Sequence, residues 1–127
     1  MGQLHAIADT VHEIRSRPVS REELQAALLC LTDALGCALG GAKEPSIRAL
    51  VSAFPENKQG TTALGFRQRL HPSDCLVVNA AEMRIQDFND IYFGRNNLHP
   101  SESVIPAALA LAEHGRWTGR ELLESIA

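Results

Sequence analysis

Asp87, Asp90 and His99 place two carboxylates and an imidazole within thirteen consecutive residues. They belong to Gln86-Asp87-Phe88-Asn89-Asp90-Ile91-Tyr92 and, after a linker, to Leu98-His99-Pro100-Ser101-Glu102-Ser103. A carboxylate and an imidazole on one loop can run general acid–base chemistry, because histidine changes charge near neutral pH. Arg84, Arg95 and Ser101 are the local groups able to bind an anionic substrate. Binding and catalytic groups gather on loops of this kind. The same residues also have a structural reading. Asp87 and Asp90 suit turns and caps, and His99-Pro100-Ser101 suits a helix entry. Leu70-His71-Pro72-Ser73-Asp74 supports that alternative, since it nearly repeats Leu98-His99-Pro100-Ser101-Glu102. Of the two copies, only the second follows an Asp-rich loop.

Other chemistries have less support. Asp87, Asp90 and His99, with His71 or His114, are metal-ligand types, but their spacing matches no HExxH, EF-hand or zinc-finger pattern. Cys75 falls near a predicted helix N-terminus, where a thiol pKa drops, yet no nucleophile signature surrounds it. Neither GxGxxG, a P-loop nor GxSxG occurs. Asp33 sits within an almost wholly apolar helical run, so burial there predicts a structural polar partner rather than catalysis.

The elements that must position these groups are mostly helical. Leu4, Ile7, Val11 and Ile14 mark one face of a first amphipathic helix, which Arg17-Pro18 ends. Ser20 and Glu23 form a capping-box pattern. Leu24, Leu28, Leu31 and Leu35 then continue as a stripe that Leu29, Cys30, Cys37 and Ala38 widen. This second helix is predicted to be central. Gly36 within it predicts close approach of a neighbour, and Gly40-Gly41 a stop. A third helix is expected over 45–53, a hairpin or irregular loop over 61–70, and a fourth helix from Ser73 to Gln86. A fifth helix is expected from Ser103 to Gly115, with Pro106 in its first turn. Thr118 and Glu121 repeat the capping-box spacing and open a sixth. Its apolar face, begun by Leu122, Leu123 and Ile126, looks unfinished at Ala127, as in the front part of a longer chain.

Composition bounds the function. The chain has 127 residues, 45% of them hydrophobic, and a net charge of −3. These values suit one globular domain. They carry no basic surplus for nucleic acid or anionic membrane. Three cysteines without a CxxC predict a reducing, cytoplasmic setting and no disulfide framework. No secretory signal is visible. The most apolar run, 26–42, contains Thr32 and Asp33 and is too short for a membrane span.

Several segments resemble one family. Leu31-Thr32-Asp33-Ala34-Leu35-Gly36-Cys37-Ala38-Leu39-Gly40-Gly41 is similar to the early helix of the MmgE/PrpD family, and Thr62-Ala63-Leu64-Gly65 to its next short element. Asn79-Ala80-Ala81 through Asp87-Phe88-Asn89-Asp90, then His99-Pro100-Ser101 and Pro106-Ala107-Ala108-Leu109-Ala110, resembles its active-site loop and following helix. Gly119-Arg120-Glu121-Leu122-Leu123 resembles the next helix. The resemblance implies a mainly α fold, a bundle-like part of a helical domain with at most one small β-hairpin. Residues 1–127 would be the N-terminal part of that domain, without the family's second, α+β domain and its later lysine, histidine and tyrosine positions. It implies a homodimeric lyase acting on small di- or tricarboxylic acids, with no metal or organic cofactor. Carried over by motif, Asp87 and His99 match active-site positions, and Asp90 shares the motif. The twelve-residue step from Asp87 to His99 is more similar to the 2-methylcitrate dehydratase branch than to cis-aconitate decarboxylase. Many members have Thr where this chain has Ile91, so one polar group is missing. The 127 residues alone are expected to be inactive. The competing expectation is a non-catalytic helical interaction module, or a split or decayed subunit.

Overall fold

The computed structural model describes residues 2–95 and 97–127. Six helices and one hairpin follow in order: α1 (Gln3–Ser16), α2 (Arg21–Gly41), α3 (Pro45–Ala53), β1 (Thr61–Thr62), β2 (Arg69–Leu70), α4 (Pro72–Arg84), α5 (Ser101–Gly115) and α6 (Gly119–Ile126). The fold is mainly α. Its two-stranded antiparallel sheet pairs Thr61 with Leu70 and Thr62 with Arg69.

Local chemistry explains the helix starts. At α2 the Ser20 hydroxyl accepts from Glu23 N at 3.1 Å and the Glu23 carboxylate accepts from Ser20 N at 2.8 Å. Thr118 and Glu121 repeat this reciprocal cap at α6. Pro45 and Pro72 open α3 and α4, where a missing N–H costs nothing. Pro106 departs from expectation. Because α5 starts at Ser101, the proline lies inside the helix and is buried. It cannot donate to the carbonyl of Glu102 one turn earlier.

α4 is the middle of the molecule. Its Cys75 and Val78 join Ile47 and Val51 of α3 and Ala63 and Leu70 of the hairpin in one cluster. Its Met83 joins Ala34 and Ala38 of α2 and Ile105 of α5 in another. Close helix approach falls at Gly41, where a Cβ would overlap the Glu82 carbonyl, and not at the expected Gly36, which has open space around it. Buried Asn79 ties the hairpin to α4: its Oδ1 accepts from Leu64 N at 3.0 Å. Glu113 of α5 grips the other side, accepting from Thr62 N at 2.7 Å and pairing with Arg69 at 3.0 Å.

α2 is long and apolar enough to cross a membrane by length and composition. Here it packs against α4, α5 and α6. It is nevertheless only partly enclosed, because Leu28, Leu29 and Leu39 are exposed. Asp33 lies on this open side, so it needs no buried partner, contrary to expectation. α1 buries no residue at all. The cysteines are free, Cys30 half-buried and the others buried. Burial pushes the Cys75 thiol up, opposite to the effect expected of a helix start.

Glu82 is a second buried polar residue of α4. It is fully buried, and neither carboxylate oxygen has a partner among the described residues. Burial pushes its carboxyl up to about 8. The folded chain therefore holds a proton that the unfolded chain, at about 4.5, releases. Stability is expected to be highest below that value and to fall as pH rises through about 8, by an amount on the order of a few kcal/mol. Glu82→Gln should flatten this slope in urea melts taken from pH 5 to 9. An unchanged slope would show that Glu82 does not cause it.

Candidate active site

The site loop hangs between the end of α4 and the start of α5. α4 stops at Arg84, and Asp87 then takes a left-handed backbone conformation with φ 54°. Aspartate tolerates this conformation better than most residues because its short polar side chain can bond locally. The Asp87 N–H donates to the Arg84 carbonyl at 3.0 Å, closing the turn. The chain later doubles back. Tyr92 N donates to the Leu98 carbonyl at 2.8 Å, and Leu98 N to the Tyr92 carbonyl at 3.2 Å. That bridge returns His99 toward the start of the loop.

The His99 ring reaches the backbone of Asp90, with Nδ1 2.9 Å from the carbonyl oxygen. A carbonyl can only accept, so Nδ1 carries the hydrogen. In the neutral ring Nε2 then holds the lone pair. His71 makes a different contact: its Nδ1 lies 2.8 Å from the Ser73 hydroxyl at the start of α4, on an exposed helix entry. The two similar segments thus both begin helices, and only His99 is tied into the loop.

Arg84 is already occupied. Its Nη1 pairs with Asp87, and its Nε lies 3.1 Å from Glu102 Oε2. Its hydrogen bond and charge hold the Asp87 carboxyl below the usual carboxylate range; His99 contributes least to this shift. Arg95 stands exposed on the loop, and Ser101 is buried as the first residue of α5, 5% exposed. Of the three substrate-binding groups read from the sequence, Arg84 thus faces carboxylates of its own chain and Ser101 is covered.

Asp90 is half-buried. Its Oδ1 is buried without a partner among the described residues. Burial, then the charges of Asp33 and Asp90, push the Cys37 thiol up. Residue type does not distinguish Asn89 or Glu102 in the sequence, yet Asn89 is 4% exposed and donates Nδ2 to Glu102 Oε2 at 3.2 Å. The only signal for either was its place beside the motif residues. Phe88, Ile91, Tyr92, Phe93 and Leu98 are exposed around the loop. Among the described residues, no three His, Cys, Asp or Glu side chains form a metal-binding group. A separate cleft of about 270 Å³ opens between the hairpin, α5 and the start of α6, with Thr61, Glu113 and Trp117 in its wall.

The arrangement sets an arginine-held carboxylate, kept below the usual carboxylate range, on the same loop as an imidazole whose Nε2 can take or give a proton. In ¹⁵N spectra above its pKa, His99 is expected to show a protonated Nδ1 and an unprotonated Nε2. The opposite tautomer would remove the bond to Asp90 as the element that orients the ring.

Compared with known families, residues 5–127 match the MmgE/PrpD N-terminal domain. No curated protein and no solved structure matches the chain.

Proposed function

From the premise that the chain belongs to the MmgE/PrpD family, we propose that it carries the acid–base site of a lyase acting on small hydroxy di- or tricarboxylic acids. The most specific form of the proposal is dehydration of 2-methylcitrate or a close relative. The observation that carries it is the His99 imidazole, its Nδ1 engaged by the Asp90 carbonyl, on the same loop as the arginine-held Asp87 carboxylate.

Dehydration breaks a C–H bond alpha to a carboxylate and a C–OH bond at the adjacent carbon. A C=C bond forms and water leaves. His99 Nε2 is suited to move the proton, since Nδ1 is engaged by the Asp90 carbonyl and the neutral ring leaves a lone pair on Nε2. Asp87 is a weak base, because Arg84 stabilises its ionised form. Its role is to orient the site and to stabilise the imidazolium that forms when His99 takes the proton. The chemistry assigned to these residues calls on no metal or organic cofactor. The three free cysteines support a reducing location such as the cytoplasm. In an active preparation, formation of the alkene can be followed by ultraviolet absorbance. Asp87→Asn, which keeps the side-chain shape and tolerates positive φ, and His99→Gln should each lower kcat/KM by about 10²-fold or more. Full activity in either variant would remove that residue from the site.

A second role has its own support. Leu4, Ile7, Val11 and Ile14 form an uncovered apolar stripe on α1, with Leu28, Leu29 and Leu39 uncovered on α2. Such faces favour association with another chain, including a second copy in a homodimer. Sedimentation velocity should show a species heavier than 13.8 kDa, reduced by Ile7→Glu. A monomer at high concentration would count against this role and leave the acid–base site unaffected.

A further inference from the structure

We propose that Glu102 is a positioning residue of this site, holding Arg84 and Asn89 on one carboxylate oxygen so that Asp87 is fixed at the end of α4. The inference deepens the acid–base reading of Asp87 and His99 and rests on it.

Three segments meet at Glu102 Oε2. From the last turn of α4, Arg84 Nε lies 3.1 Å away. From the loop, Asn89 Nδ2 donates at 3.2 Å. Glu102 itself lies in the first turn of α5, half-buried, where the helix N-terminus favours a negative side chain. Arg84 carries the constraint onward, because its Nη1 pairs with Asp87. An arginine with two carboxylates on different edges loses rotamer freedom that a single partner would leave it. Asn89 is also constrained. It is buried, its Oδ1 has no partner among the described residues, and Glu102 accepts from its amide nitrogen. Removing Glu102 would leave both ends of a buried amide unpaired, a cost that favours opening of the loop. The left-handed backbone at Asp87 makes the same point. A sparsely populated conformation persists where its surroundings hold it.

The charged groups acting on the Asp87 carboxylate are Arg84 and His99, and Glu102 stands against Arg84. This gives a test whose two explanations differ in sign. If Glu102 acted only through space, replacing it with a neutral residue would remove a negative charge and lower the Asp87 midpoint. If it positions Arg84, its loss releases the guanidinium, and the Asp87 midpoint rises toward the ordinary carboxylate range.

The experiment is a side-chain carboxyl ¹³C NMR titration of Asp87 in the native chain and in Glu102→Gln, with His99 followed in the same samples. The expected result is an upward shift of the Asp87 midpoint by about one pH unit. An unchanged or lowered midpoint in folded Glu102→Gln would overturn the proposal. Glu102→Asp keeps the charge but shortens the reach, and serves if Glu102→Gln does not fold. Positioning again predicts a rise, and no change would again overturn it. No substrate enters the measurement. Its failure would leave the Asp87→Asn and His99→Gln assay standing, and failure of that assay would leave this result intact.

Discussion

The approach of α4 to α2 at Gly41 sets the position of everything chemical in this molecule. The Glu82 backbone lies where any side chain at Gly41 would be. The two helices therefore sit close, with Ala34, Ala38 and Met83 filling the seam beside that point. α5 covers another side of α4 through Ile105. The end of α4 and the start of α5 are thereby held as fixed posts, and the site loop spans them. Burial of Glu82 in α4 without a partner among the described residues is an unfavourable feature of this packing.

Electrostatics on the loop divides the labour between the two motif residues. Arg84 keeps Asp87 ionised, which makes it a good anion and a poor base. The Asp90 carbonyl orients the His99 ring and leaves Nε2 for proton transfer. Arg84 thereby serves the chain's own carboxylates. Under the proposed lyase reading, cationic recognition of a multiply charged substrate would come from groups other than a free Arg84. The exposed aromatic residues along the loop make an apolar margin around this charged centre.

Outside the α4-centred core, packing is uneven. α1 buries nothing, and α2 leaves Leu28, Leu29 and Leu39 open. A fourteen-residue helix is marginal by itself in water. These two faces are complementary in their apolar character, and neither includes a residue of the loop between α4 and α5. Association through them and acid–base chemistry at the loop are physically separable properties.

The amino-acid sequence by itself determined which segments are helices and where α2, α3 and α6 start, while it placed the start of α5 two residues late. Apolar spacing of three and four residues, the Ser20/Glu23 and Thr118/Glu121 caps, and the helix-opening prolines are local features, and local geometry decides them. The motif residues Asp87, Asp90 and His99 were legible for the same reason, as chemical types close together in the chain. Tertiary structure decided what depends on neighbours distant in sequence. Periodicity could not reveal that Gly41 rather than Gly36 meets another helix, that Asp33 faces outward, or that Arg84 is paired with Glu102. Nor could it separate His99 from His71, since both begin helices with the same residues. The difference lies in what each imidazole touches once the chain has folded: a nearby serine hydroxyl for His71, and for His99 the backbone of a loop held between two packed helices.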